Sequence, residues 1–366
     1  MEGLIPETII DLAVIGAGPA GASAAITGIR EGLSVALLEA GSFPRHKVCG
    51  EFISGEALPI LESLLPDDEL LARAPRIKTA RVFLDNRVAD FAVEPAATSL
   101  SRYELDRRLW ERAIAQGVRA SHRVRVTAVR KHRSFFTIES EGTAMRARAV
   151  INATGRWSNL SRSQGEISER WLGLKQHFIE DDAGLNCDLY FFHGGYCGVQ
   201  ALGDGTVNVA AMVRADVARN LAGAFEQNRE LKRRSREWRP ATEAVATSPL
   251  LFTAPRTSEG GTVLAGDAAA FIDPFAGDGI SMALHSGRLA AITLVLYLRG
   301  DCSLEAALEQ YDRAYRDLVQ PALKAAARLR RWLQLPKTLR LAALSVLQWP
   351  PLARLTVQQT RVKMVA

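Results

Sequence analysis

The chain has 366 residues, 48% of them hydrophobic and 23% charged, which suits one large or two moderate globular domains and excludes a disordered or low-complexity protein. Its net charge of +6 comes from 46 Lys and Arg against 40 Asp and Glu, and no basic run alternates with aromatics, so no nucleic-acid surface is expected. Four cysteines without C-x-x-C spacing exclude a zinc motif and a disulfide scaffold, and Glu2 and Glu7 do not fit a signal peptide; a reducing, cytoplasmic setting with no metal site is expected.

Residues Ile9–Ile15 (IIDLAVI) are almost continuously apolar, the pattern of a strand buried on both faces. Gly16-Ala17-Gly18-Pro19-Ala20-Gly21 follows at once, then a small-residue helix from Pro19 to Arg30 and a stop at Gly32. A second apolar strand, Ser34–Leu38, ends at Glu39 and Ala40. In such a unit Gly16 permits the tight turn, Gly18 lets the backbone approach a pyrophosphate, and Gly21 lets the helix lie close on the sheet. Glu39, eighteen residues after Gly21, is spaced to accept hydrogen bonds from ribose hydroxyls and would repel a 2′-phosphate. Gly16, Gly18, Pro19, Ala20, Gly21, Glu39 and Ala40 are therefore candidates to hold an ADP-containing dinucleotide, which this unit alone leaves open between FAD and NAD.

Further on, Arg76–Leu100 is strand-like, and Ala149–Thr154 reads as a strand ending at Gly155. Glycine-punctuated apolar runs from Gly173 to Val213, including Tyr190-Phe191-Phe192 and Val207–Met212, read as a sheet. The basic run Lys232-Arg233-Arg234-Ser235-Arg236 has helical flanks and no aromatic, which suits a solvated face. Thr262–Ala265 reads as a short strand, followed by Gly266-Asp267, Pro274, Gly277, Gly279 and a long helix from about Ile280. A carboxylate at that strand end can hold a ribityl hydroxyl, and the turn before the helix can present backbone N–H groups to a flavin. The longest apolar run, Leu289–Leu298 broken only by Thr293, is too short to span a bilayer. From about residue 303 the periodicity is helical, with breaks at Pro336 and Pro350-Pro351. After Asp317 there is no acidic residue and nine Lys or Arg, so this tail either meets a peripheral membrane surface or acidic carrier protein, or packs its apolar side on the body.

The run GDAAAFIDPFAGDGISMAL resembles the ribityl-binding motif of flavoproteins with the para-hydroxybenzoate hydroxylase fold, nearest to their geranylgeranyl reductase and flavoprotein dehydrogenase branch. Asn152-Ala153-Thr154-Gly155-Arg156-Trp157-Ser158 is similar to the family's short glycine motif at the flavin pyrophosphate. Phe43-Pro44-Arg45-His46-Lys47-Val48-Cys49-Gly50-Glu51 is similar to the P-R-x-K-x-C-G segment of the reductase branch. Ser101-Arg102-Tyr103-Glu104-Leu105-Asp106 is similar to the Arg-x-x-x-Asp helix start whose arginine lies by the flavin. The matches run in order from residue 9 to about 300.

The resemblance implies an FAD-dependent oxidoreductase of α/β class. A Rossmann-like FAD domain (residues 1–75, 100–165 and 255–310) would interleave with a mixed or antiparallel-sheet substrate domain (76–99 and 166–254), followed by C-terminal helices (311–366). FAD would be held, beyond the first unit, by Arg45, Cys49, Arg102, Thr154, Gly155, Gly266, Asp267, Pro274, Gly277, Gly279 and Ile280. The chain has no second G-x-G-x-x-G, so NAD(P)H is expected as a transient reductant. Cys49 would lie at the flavin's reactive edge as a proton donor or positioning group, or else be a small buried hydrophobe, with Arg45 and Lys47 placed to lower its pKa. Glu51 is a second candidate proton carrier, His46 is expected at the surface or flavin edge, and His193 and Tyr196 are candidates to touch substrate. The leading expectation is an NAD(P)H-driven reductase or dehydrogenase acting on a hydrophobic or conjugated small molecule. A single-component FAD monooxygenase hydroxylating an aromatic or polyketide-like substrate is the alternative, and a flavin-fold binding protein for a lipid or acyl-carrier partner is a third. The chain departs from the reductases' Y-x-W-x-F-P run, having Tyr196-Cys197-Gly198-Val199-Gln200-Ala201, which puts a long isoprenoid substrate in doubt. It lacks the halogenases' W-x-W-x-I-P, and Ala270 stands where the oxygenases usually have His.

Overall fold

The computed structural model describes residues 9–85, 87–156, 160, 171–250, 254–271, 275, 277–333 and 338–339. Its strands divide between two sheets. The apolar run Ile9–Ile15 lies inside the first, with parallel neighbours on both sides, Val35–Glu39 and Thr143–Asn152. The flanking strands satisfy the backbone of the run, and packing on both faces of the sheet is what its continuous apolarity serves; Leu12, Ala13 and Val14 have no exposed surface. Thr262–Leu264 and Arg119–His122 extend the parallel array outward, and Val126–Lys131 and Phe136–Ser140 fold back on Thr143–Asn152 as an antiparallel flap.

Helices Pro19–Arg30 and Gly279–Arg299 pack together on this core through small residues. A Cβ on Gly287 would stand 2.0 Å from the Ala20 carbonyl oxygen, so the two backbones approach directly. Ser23 Oγ donates to the Leu284 carbonyl at 2.8 Å across the same seam. The helix Gly279–Arg299 is twice the length of the run Leu289–Leu298, because Ile280, Met282 and Leu284 continue its buried side. It is long and apolar enough to cross a membrane, correcting the expectation from the run alone, yet 61% of its apolar window is buried inside the protein. Its hydropathy serves the core.

The second sheet runs in the order Arg239–Pro240, Trp171–Ile179, Thr206–Arg214, Gly195–Ala201, Asn186–Phe192, Arg76–Leu84, Arg87–Ser99, Phe52–Ile53, with Val245–Thr247 paired to Trp171–Ile179. Asn186–Phe192 and Arg76–Leu84 are parallel; the other pairings are antiparallel. The chain thus passes between sheets four times: after Glu39, after Ser99, after Asn152 and after Thr247. The basic run near residue 232 is only partly a solvated face. Arg234 turns inward and pairs with Glu180 and Asp188 behind the second sheet, at 2.7 and 2.5 Å.

Helix Leu304–Leu333 crosses the expected boundary at residue 310 without a break. Its Tyr311, Tyr315, Val319 and Ala322 sit in the same core as the first sheet, and Tyr311 Oη donates to the Leu264 carbonyl at 2.7 Å. The described start of the basic tail, with Val319, Ala322 and Ala326 buried, therefore packs its apolar side on the body. Pro336, Pro350-Pro351 and residues 340–366 lie outside the described residues.

Candidate active site

A cavity of about 670 Å³ runs from Glu39, past Gly16, Gly18 and Arg102, to Asp267 and Gly277, and on to the second sheet at Tyr196 and Met212. Its first end is the glycine turn. Gly16 has φ +93° and a Cβ there would lie 2.4 Å from the Ala153 oxygen; a Cβ on Gly21 would lie 1.7 Å from the Gly16 oxygen. Both glycines are demanded by the fold, Gly21 by the close helix–strand approach. Gly18 is different. Its backbone is extended, and among the described residues a Cβ would meet only Arg102 Nη2, at 3.6 Å. What excludes a side chain from Gly18 is therefore whatever fills the cavity, which fits a pyrophosphate against the opening of helix Pro19–Arg30.

Glu39 closes this end. Its carboxylate accepts N–H bonds from Ala17 (2.9 Å) and Gly41 (2.8 Å) and pairs with Arg45 at 2.8 Å. Burial alone would raise its pKa, but the Arg45 charge and the two N–H groups outweigh that and hold it below the ordinary value. Arg45 therefore belongs to the ADP end, and its guanidinium also covers Phe43 at 5.2 Å. Ala40, Pro19 and Ala20 line the same stretch of cavity.

At the middle of the cavity Arg102 makes a bidentate pair with Asp106, both contacts 2.7 Å. Ser101 caps the helix Arg102–Ala115, its hydroxyl accepting from Glu104 N at 3.2 Å, which fixes where Arg102 emerges. Thr154 is tied to Asn152 Oδ1 through its N–H (3.1 Å) and hydroxyl (2.6 Å), and Gly155 has φ +80°. Opposite lie Gly266, Asp267, Gly277, Gly279 and Ile280, all on the cavity wall. Gly266 N donates to Ser286 Oγ at 2.9 Å, and a Cβ on Gly266 would crowd Ala20 to 2.9 Å, so segments 246 residues apart lock together. Burial pushes the Asp267 carboxyl upward against the pull of Arg156, Arg102 and Lys47. Arg156 approaches Asp267 to 3.5 Å and lies 4.0 Å over the Phe271 ring. These residues fit FAD: they combine phosphate-facing glycines, a ribose carboxylate and a ribityl carboxylate along one channel. Pro274, Trp157 and Ser158 lie outside the described residues.

Cys49 lines the cavity where its two halves join. Burial pushes its thiol pKa up, more than the Arg102 charge pulls it down. This corrects the expectation that Arg45 and Lys47 activate it as a thiolate; the group is a thiol that keeps its proton. Glu51 also differs from expectation. Its side chain is fully buried, Oε1 accepting from Lys175 Nζ (2.8 Å) and Arg102 N (2.8 Å), and Oε2 meeting His177 Nε2 at 2.7 Å. Burial raises its pKa, but His177 and Lys175 bring it below the ordinary value, so Glu51 is a fixed anion and not a proton carrier. His46 lines the cavity beside this group, 3.4 Å from Lys175 Nζ and with its ring 4.8 Å from that of Tyr103, tilted by 30°. Burial and the Lys175 and His177 charges lower its pKa.

The far end is walled by Leu189, Tyr196, Gly198, Ala210, Met212, Leu250, Phe271 and Phe275. Tyr196 is buried there, 6.0 Å edge-to-face from Phe275. His193 is not. It sits exposed in the two-residue turn between Asn186–Phe192 and Gly195–Ala201, because the strand ends one residue before it. Sequence reading missed Lys175, His177 and Asn208. A lysine and a histidine two residues apart in the strand WLGLKQHFI, flanked by apolar residues, were the available signal, since a buried ammonium demands a partner.

Residues 10–166 match the sequence family described as pyridine nucleotide-disulphide oxidoreductase. The chain is 30% identical over 334 residues to the digeranylgeranylglycerophospholipid reductase of Methanoculleus marisnigri, covering 84% of this chain and 81% of that one. It is 28% identical over 314 residues to the menaquinone reductase of Mycobacterium tuberculosis, covering 77% and 75%. The flavin-dependent brominase Bmp2 superposes with a TM-score of 0.82 at 21% identity over 96% of this chain and 93% of that one, which establishes the shared fold.

Proposed function

We infer that this chain, which belongs to the family of the digeranylgeranylglycerophospholipid reductases and is an FAD-dependent oxidoreductase, reduces a hydrophobic, conjugated small molecule with NADH or NADPH as the electron source. The observation that carries this reading is the Cys49 thiol, kept protonated by burial where the FAD channel opens onto an apolar wall. FAD bound there supplies hydride-transfer chemistry. Glu39 and the glycine turn anchor the ADP half, and Arg102 lies along the pyrophosphate stretch. Tyr196, Met212, Leu250 and Phe275 bury the apolar substrate and exclude water. Cys49 then delivers a proton from Sγ to the substrate atom next to the one that is reduced. The relatives' names, a digeranylgeranylglycerophospholipid reductase and a menaquinone reductase, support reduction of a lipophilic compound.

This chain's substrate differs in shape from a long isoprenoid. Gly198 and Gln200 face the cavity on the same strand side as Tyr196, where the reductases' run has Trp and Phe. Those two positions leave room beside Tyr196 and add one polar group, which suits a ring or branched head. The test is anaerobic. Holoenzyme reduced by NADH or NADPH is mixed with menaquinone, a polyene or a phenol, and flavin reoxidation is followed. Reoxidation by a quinone or polyene without oxygen is expected. Reoxidation that needs oxygen and yields a hydroxylated phenol overturns the reductase reading in favour of a monooxygenase.

A further inference from the structure

The strand Trp171–Ile179 carries Lys175 and His177 on one side, two residues apart, and Asn208 stands directly opposite His177 on the neighbouring strand. All three reach the same three-residue segment, which leads directly into Phe52–Ile53, the strand at the opposite edge of the same sheet. Lys175 and His177 hold the two oxygens of Glu51, and Asn208 Nδ2 donates to the carbonyls of Cys49 (3.1 Å) and Gly50 (2.8 Å). Lys175, His177, Asn208 and Glu51 are all buried. Glu51 itself has φ 57°, a left-handed conformation that a glutamate keeps only when its surroundings enforce it. From that conformation its N–H points back to Cys49 Sγ at 3.3 Å. The charged groups near the thiol are Arg102, Glu51, Lys175 and, more distantly, Arg156.

We propose that Lys175, His177 and Asn208 form a grip on residues 49–51, with Glu51 as the positioning residue that sets the Cys49 thiol in the cavity. The substrate-side sheet thereby holds the proton donor, so a shift of that sheet as substrate settles moves Cys49 with it. A salt bridge serving stability alone needs neither the left-handed glutamate nor the paired carbonyl contacts of Asn208. The inference rests on the reading of Cys49 as proton donor only for its catalytic consequence; the geometry of the grip stands apart from it.

The test uses the FAD-loaded enzyme and iodoacetamide, with Cys49 and Cys187, both on the cavity wall, quantified separately by peptide mass spectrometry. Asn208→Asp removes the two N–H donations at constant shape. His177→Leu removes the contact to Glu51, and His177→Gln keeps an N–H for it. Asn208→Asp and His177→Leu are expected to speed Cys49 alkylation about tenfold and to lower kcat by about the same factor at little-changed KM, with Cys187 unaffected. His177→Gln is expected to stay near wild type. Equal changes at Cys49 and Cys187, no change at Cys49, or a Gln variant no better than Leu would each overturn the grip. If Asn208→Asp does not fold, the two His177 variants decide alone. Should alkylation respond while Cys49→Ala turns over normally, the grip stands and the proton-donor reading fails.

Discussion

Gly18 and Arg102 adjoin on the cavity wall: a Cβ on Gly18 would lie 3.6 Å from Arg102 Nη2 and, among the described residues beyond its chain neighbours, near nothing else. The fold therefore tolerates a substitution that the cofactor does not. Gly18→Val should fold with nearly unchanged thermal stability as apoprotein while losing FAD affinity by at least about 3 kcal/mol, roughly a hundredfold. Bound flavin after gel filtration and the melting curve of the apoprotein check both halves. A variant that stays yellow contradicts the placement of the pyrophosphate.

Glu39 acts on the fold and on the ligand together, because its oxygens already take the N–H groups of Ala17 and Gly41. Glu39→Ala is expected to weaken FAD by about 1–3 kcal/mol, the scale of lost charged hydrogen bonds. Fluorescence titration of the apoprotein with FAD measures it.

Acid should release both flavin and structure. Glu39 and Glu51 are each held below the ordinary glutamate value of 4.5, so each binds a proton less readily folded than unfolded. Their stabilisation is complete above that value and is lost as pH falls through the lowered folded value. Asp267, pushed upward by burial, works in the opposite direction, so the Glu51 part is isolated by comparison with Glu51→Gln. Melting temperature between about pH 5 and 3 should fall more gently in Glu51→Gln than in wild type. Parallel curves would show that Glu51 is not ionised in the folded protein.

Cys49→Ala should retain FAD and its reduction by nicotinamide, since neither needs the thiol. Product formation should fall by about 10²-fold, the usual scale for losing a general acid. Stopped-flow reduction and steady-state turnover separate the two steps.

Gly198 has no positive φ, and a Cβ there meets Leu189 and the Ala210 oxygen only at 3.5 and 3.8 Å. The position accepts a side chain, so its openness serves the cavity. Gly198→Trp should leave FAD content unchanged and raise KM about tenfold or more for the native substrate, by filling the space beside Tyr196. Steady-state kinetics on a yellow variant provide the check.

The parts legible in the sequence are those whose geometry is local or whose spacing is rigid. Ile9 to Glu39 is one βαβ unit, so its strand, turn, helix and carboxylate follow from period and spacing, and the structure places its ends within a residue. The strand expected at Thr262–Ala265 and the helix expected from about Ile280 were legible for the same reason, each found within a residue. The grip on Cys49 was not, because its members lie 124 to 159 residues from their partners and meet only through the register of the second sheet. Arg45 misled by proximity: four residues from Cys49 in sequence, it turns away to Glu39. His193 misled because an apolar run does not reveal the residue at which a strand yields to its turn.

The four passages between sheets have a consequence for how the molecule is made. The cavity wall draws on residues from Ile15 to Ala283, and the helix that opens at Gly279 packs backbone to backbone on the helix that follows Gly16. A nascent chain that has released only its first βαβ unit can display the dinucleotide signature and still lack the ribityl half of the pocket. A complete flavin pocket therefore requires the chain at least through Ala283, and the small-residue seam around Ala20 is closed only once the helix that opens at Gly279 is present.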